Sequence, residues 1–159
     1  MPRRNGGNMR VLGIDPGSAH VGVAVLEFDG ERPIWTEAQT IKPGEATWHW
    51  ARGKLVGIDL VAIERPRQGF RPAGGHIIDT SWVGGRVEAF AEVAGIERMI
   101  LTSYAWRRRL CGNSNAKDHM VKEGLGEFLD VPRSNAHTRD AAGVALVAGW
   151  EMFCGRLVA

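Results

Sequence analysis

The stretch that most constrains how this chain can fold is residues 10–25, Arg-Val-Leu-Gly-Ile-Asp-Pro-Gly-Ser-Ala-His-Val-Gly-Val-Ala-Val. Val11, Leu12 and Ile14 make the short apolar run of a buried strand, and the run ends on a carboxylate, Asp15, followed by the turn pair Pro16-Gly17. Val21, Val23 and Val25 alternate with smaller residues as a second, antiparallel strand would, and Gly13 and Gly22 leave room for another backbone to approach. Asp15 therefore stands at a strand end, facing a hairpin. A carboxylate there is costly unless something compensates it, and a bound cation would. The plainer alternative is an Asp that caps its own turn.

The pattern then repeats. Asp29-Gly30 marks a turn, residues 33–41 alternate as a third strand, and residues 45–56 carry Trp48, Leu55 and Val56 on a helical spacing. Residues 60–63 form a second apolar strand that also finishes on an acid, Glu64. A right-handed crossover through the helix would lay this strand parallel to the first and bring Asp15 and Glu64 to one edge of the sheet. Residues 65–75 hold Arg65, Arg67, Phe70 and Arg71 among prolines and glycines, which reads as a basic loop beside that edge that contacts nucleic acid.

A helical pattern over 76–94 runs through Ile77, Trp82, Val83, Val87, Phe90 and Val93, with small residues, Gly84, Gly85, Ala89 and Ala91, that would let another helix approach. A fifth strand covers 97–102, an arginine-studded helix covers 104–110, and residues 115–129 are amphipathic, with Met120, Val121, Leu125, Phe128 and Leu129 inward. The last helix, 136–153, carries His137 and Asp140 three residues apart near its start. Each could be structural alone, Asp140 as a first-turn acid favoured by the helix dipole. With Asp15 and Glu64 they amount to three carboxylates and an imidazole at the polar ends of apolar elements. Such a set suits a hard cation, Mg²⁺ or Mn²⁺.

Length bounds the organisation. At 159 residues one domain is expected, a globular unit over 9–159 behind a flexible arm, 1–8, that contains Arg3 and Arg4. The net charge of +2 argues only weakly for a polyanionic partner, so the local clusters at 65–71 and 107–109 matter more than the total. The two cysteines, Cys111 and Cys154, lack zinc spacing and read as free thiols of a reducing cytoplasm. No stretch is long enough and apolar enough to span a bilayer or to serve as a signal core.

Four segments resemble the RuvC-type Holliday junction resolvases of the RNase H-like superfamily. They are Gly13-Ile14-Asp15-Pro16-Gly17-Ser18, Ala62-Ile63-Glu64, residues 112–121 with Lys117, and His137-Thr138-Arg139-Asp140-Ala141. The resemblance implies an α/β, RNase H-like fold, a five-stranded mixed sheet flanked by helices. It implies two Mg²⁺ or Mn²⁺ ions per site held by Asp15, Glu64, His137 and Asp140. Lys117 would contact phosphate near the scissile bond, Arg107 takes roughly the place of a second basic residue, and Arg108 beside it would contact DNA. Family members carry a wedging aromatic soon after the strand-four acid, where this chain has Arg67, its nearest aromatic being Phe70. They form homodimers through the helix corresponding to 76–94. The implied activity is resolution of four-way DNA junctions by paired, metal-dependent nicks leaving 5′-phosphate ends. The alternatives are an RNase H-like ribonuclease trimming structured RNA and a non-catalytic junction-binding protein.

Overall fold

The computed structural model describes residues 8–30, 32–65 and 74–158. The arm through residue 7 and the loop residues Arg67, Phe70 and Arg71 lie outside them. Among the described residues five strands, β1 (Met9–Pro16), β2 (Val21–Asp29), β3 (Arg32–Ile41), β4 (Leu60–Arg65) and β5 (Glu97–Thr102), form one sheet in the order β3-β2-β1-β4-β5. The first three pair antiparallel as a meander, and β1, β4 and β5 are mutually parallel. This is the mixed sheet expected from the sequence. The helices are α1 (Trp48–Lys54), α2 (Gly74–Val93), α3 (Ser103–Cys111), α4 (Asp118–Gly126) and α5 (Ala136–Val158).

Strand alternation sorts side chains into two cores, one on each face. Val11 of β1, Leu60 and Ala62 of β4, and Ala24, Leu26 and Phe28 of β2 pack under α3, α4 and α5. Leu12, Ile14, Val61, Ile63, Val21, Val23 and Val25 pack under α1 and α2. By the same parity Asp15 follows Val11 and Gly13, and Glu64 follows Leu60 and Ala62, so both acids emerge on the face covered by α5. Ile14 pairs with Ile63 in parallel register, which sets the two acids one residue further along neighbouring strands.

Two glycines let α5 settle onto that face. A Cβ on Gly13 would stand 2.0 Å from the Ala141 carbonyl oxygen, and one on Gly22 would stand 2.0 Å from the His137 carbonyl oxygen. Any side chain at either position would lift the first turns of α5 off β1 and β2. The start of α5 is fixed from its other side by Asn135. Its Oδ1 accepts the Thr138 backbone N–H at 3.0 Å, Thr138 Oγ1 accepts the Asn135 N–H at 3.1 Å, and Asn135 Nδ2 donates to Thr40 Oγ1 on β3 at 2.8 Å.

Several elements differ from expectation. The helix expected over 45–56 is shorter: Glu45 belongs to a 3₁₀ turn, Pro43–Glu45, and α1 begins only after Thr47, whose hydroxyl accepts the Trp50 N–H. Trp48 and Val56 are consequently exposed, while Leu55 is buried. On α2, Val83, Val87 and Ala91 face the sheet at i, i+4, i+8, whereas Trp82 and Val93 project to solvent at 68% and 75% exposure. Phe128 lies past the end of α4, half-exposed, with its ring edge-on to Trp150 at 4.7 Å. Cys111 is a free thiol, as expected. Among the described residues no helix is long and apolar enough to cross a membrane.

Candidate active site

The parity of β1 and β4 delivers Asp15 and Glu64 to the edge where α5 begins, and α5 brings His137 and Asp140 to the same place. Asp15 Oδ2 lies 2.9 Å from His137 Nδ1. With that nitrogen bonded to the carboxylate, a neutral imidazole keeps Nε2 as its acceptor. Glu64, 8% exposed, accepts the indole Nε1–H of Trp106 on Oε2 at 3.0 Å. Asp140 Oδ2 accepts from Arg107 Nη2 at 2.5 Å.

The three carboxylates feel one another. Burial raises the Asp15 pKa above its ordinary value, and the hydrogen bond and charge of His137, with Arg107, only partly oppose it. Burial, then the charges of Asp15 and Asp140, push Glu64 up to about 8, against the Trp106 hydrogen bond and the Arg107 charge. Burial likewise raises Asp140 to about 6, with the Arg107 cation working the other way. Each acid is thus held where its charged form is disfavoured, and a cation is what would relieve all three.

The basic residues divide by location. Arg107 is turned inward: besides Asp140 it donates from Nη1 to the Ala116 carbonyl at 2.7 Å, and its guanidinium lies 5.0 Å from the centroid of the Trp106 ring. Arg108 and Arg65 are exposed at the surface. Lys117 is the N-cap residue of α4 and is exposed, with both neighbours anchored. Ala116 is held by Arg107, and Asp118 pairs with Arg139 of α5 through two bonds of 2.8 and 2.7 Å. That pairing holds the Asp118 carboxyl below its usual range.

The sequence therefore named the four residues that meet at this edge, and Arg107 beside them. It missed Trp106, which binds Glu64 directly, and His20, whose ring centroid is 5.7 Å from that of His137. A buried face on α3 was readable from Trp106 and Leu110 at i, i+4, but not the acceptor of the indole. Among the described residues no three His, Cys, Asp or Glu side chains are grouped so as to enclose one metal ion. Asp15, Glu64 and Asp140 are instead taken up by His137, Trp106 and Arg107.

No family model matches the chain. It is 27% identical to the crossover junction endodeoxyribonuclease RuvC of Salinibacter ruber over 158 aligned positions, covering 89% of this chain and 85% of that protein. It is 40% identical to the RuvC of Campylobacter jejuni over 55 residues, 34% of each chain. RuvC of Thermus thermophilus superimposes with a TM-score of 0.77 at 22% identity, over 92% of this chain and 97% of that one. The same protein in complex with a Holliday junction substrate superimposes with a TM-score of 0.79, again at 22% identity, over 92% and 96%. The fold is that of the RuvC-type, RNase H-like resolvases.

Proposed function

We propose that this chain is a RuvC-type crossover junction endodeoxyribonuclease, which resolves four-way DNA junctions by metal-dependent hydrolysis of phosphodiesters. The observation that carries the reading is the convergence of Asp15, Glu64 and Asp140, with His137, at one sheet edge of a fold shared with RuvC. Three mutually repelling carboxylates with raised pKa values form a poor binding site for anything but a cation, and hard oxygen donors with one imidazole fit Mg²⁺ or Mn²⁺. Asp15, Glu64, His137 and Asp140 would hold two such ions, which supply Lewis acidity at the phosphodiester and at the leaving 3′ oxygen.

The chain's own residues do the rest. His137 holds Asp15 at the strand end, Trp106 holds Glu64, and Arg107 supplies the fixed positive charge beside Asp140. Lys117, exposed on a segment anchored at both neighbours, would meet the phosphate backbone, with Arg65 and Arg108 as outlying contacts that position DNA without reading bases. Arg67, Phe70 and Arg71, close after Arg65 in the sequence, would add further DNA contacts. The products are a 5′ phosphate and a 3′ hydroxyl. A four-way junction needs two nicks related by its own symmetry, so the working unit is a two-fold homodimer. The solvent-facing Trp82 and Val93 of α2 support a contact through the 76–94 helix. A reducing cytoplasm, where the DNA is, suits the free thiol of Cys111.

An end-labelled four-way junction, the matching duplex and a structured RNA, each incubated with Mg²⁺, Mn²⁺ or EDTA, test the reading. Paired, ligatable nicks are expected in the junction alone and only with metal. Asp15→Asn should lose cleavage and keep junction binding, because an amide cannot replace the carboxylate while the basic contacts remain. An intact junction in both metals, or equal cutting of duplex and RNA, would overturn it.

A further inference from the structure

We infer that Trp106 is a positioning residue for Glu64, its indole N–H selecting which carboxylate oxygen stays open toward the site; this deepens the nuclease reading above and rests on it. Trp106 is 0% exposed and, among the described residues, heads the fully buried side chains by size. An indole offers one donor and no acceptor, so burial obliges it to find a partner. The partner is not a nearby carbonyl but Glu64 Oε2, on a strand 42 residues away in sequence, at 3.0 Å. That bond occupies one oxygen and leaves Oε1 without it.

The ring is held so that the bond can do this. Its six-membered edge lies against the bare Cα of Gly143 in the middle of α5, where an added Cβ would stand 2.5 Å from Cζ3 and 2.9 Å from Cε3. Helix interiors disfavour glycine, and nothing in the helical backbone here calls for it. The space it leaves is filled by the indole. Over the ring, the Arg107 guanidinium lies 5.0 Å from the centroid and is itself tied to Ala116 and Asp140. Consecutive residues of α3 thus address two different acids: Trp106 fixes Glu64 of β4, and Arg107 fixes Asp140 of α5. Partners of this kind, which orient a ligating carboxylate, typically change metal affinity or activity by roughly 10–100-fold when removed.

Trp106→Phe removes the N–H and keeps an aromatic ring in the slot. Compared with the parent, its junction affinity in EDTA should stay within about twofold, since Trp106 is buried away from DNA. Single-turnover cleavage should fall, and the Mn²⁺ concentration giving half of the metal-induced rise in Tm without DNA should increase, each by roughly 10-fold or more. The decisive comparison is the same substitution in a Glu64→Gln background. A positioning role predicts that the Mn²⁺ midpoint moves little further there, because its target carboxylate is gone, whereas a purely structural role predicts an equal shift in both backgrounds. An equal shift, or a parent-like midpoint and rate in Trp106→Phe alone, overturns the proposal. If the Phe variant does not fold, 3-benzothienylalanine at position 106, an indole isostere without the N–H, gives the same readouts. A parent that shows the Mn²⁺ rise yet leaves junctions intact sinks the nuclease reading while the midpoints still decide on Trp106. A parent with no Mn²⁺ rise overturns both.

Discussion

Replacing Glu64 with Gln should stabilise the metal-free protein at neutral pH, an unusual outcome for a buried polar residue in a candidate active site. Gln keeps the shape and an oxygen that can accept the Trp106 N–H, so the change isolates the charge. In the fold the Glu64 pKa rises from 4.5 to about 8, through burial first and the Asp15 and Asp140 charges second. A raised carboxylate means that the folded state holds the proton more tightly than the unfolded chain. Its stabilising contribution is complete below about pH 4.5 and is lost as pH climbs toward 8. At pH 7 the gap above the ordinary value corresponds to roughly 3 kcal/mol of stability forgone. For a chain of this length that is on the order of 6–12 °C in Tm. The assay is urea and thermal unfolding of parent and Glu64→Gln in EDTA from pH 4.5 to 8. The variant should gain stability progressively above pH 5 and match the parent near pH 4.5. Saturating Mn²⁺ should reverse the order, because the cation binds the parent's full donor set more tightly than the variant's reduced one and so stabilises the parent more. A variant no more stable than the parent at pH 7, or one whose advantage is the same at pH 4.5, would refute the electrostatic account.

Gly143→Ala should destabilise by roughly 1–3 kcal/mol in thermal unfolding, since the new methyl meets the Trp106 ring and overpacking outweighs the helix-propensity gain of about 1 kcal/mol; a more stable variant would show that the ring is not held there. His137→Asp should remain active with a lower ratio of Mn²⁺- to Mg²⁺-supported cleavage, because it exchanges the one nitrogen donor for oxygen, and His137→Ala should lose activity with both ions. Near-parent rates and an unchanged ratio in both variants would remove His137 from the ligand set. Trp82→Lys should shift a dimer toward monomer in light scattering at micromolar concentration and cut paired nicking with little effect on Tm, because the side chain is solvent-facing in the single chain; a parent that is already monomeric, with full junction cleavage, would sink the two-fold assembly.

Strand parity was the most legible feature of this chain. The residues 11, 13, 15 and 60, 62, 64 alternate in phase, so once β1 and β4 are parallel the two acids must share a face and an edge. β5 was equally readable over 97–102, where an apolar centre lies between turn signals. The helices were less so, for a definite reason. The Pro43-Gly44 pair just ahead of the expected helix draws Glu45 into a 3₁₀ turn, and Thr47 within it caps a later start, so α1 covers only the middle of residues 45–56. In α2 apolar residues occur around much of the helix, so periodicity alone did not single out the stripe Val83, Val87, Ala91 that the sheet would cover. Trp82 and Val93 were left on the solvent side.

At the site, sequence supplied which acids were candidates, because a carboxylate ending an apolar run stands out. It could not supply their partners, since those contacts join residues 42, 33 and 122 apart, for Glu64 with Trp106, Asp140 with Arg107 and Asp15 with His137. The arginine run shows the same difference at one-residue resolution. Arg107, Arg108 and Arg109 read as one cationic patch, but each step along α3 turns the side chain by about 100°. With Trp106 and Leu110 fixed inward, Arg107 is carried to Asp140 while Arg108 and Arg109 remain exposed. One arginine is therefore spent as an internal counter-charge to the acid cluster, and only its neighbours are free for phosphate. Neutralising Arg107 acts first on the carboxylates, neutralising Arg108 first on DNA, and a salt-dependence of junction binding that changes only for the latter is the signature of that division.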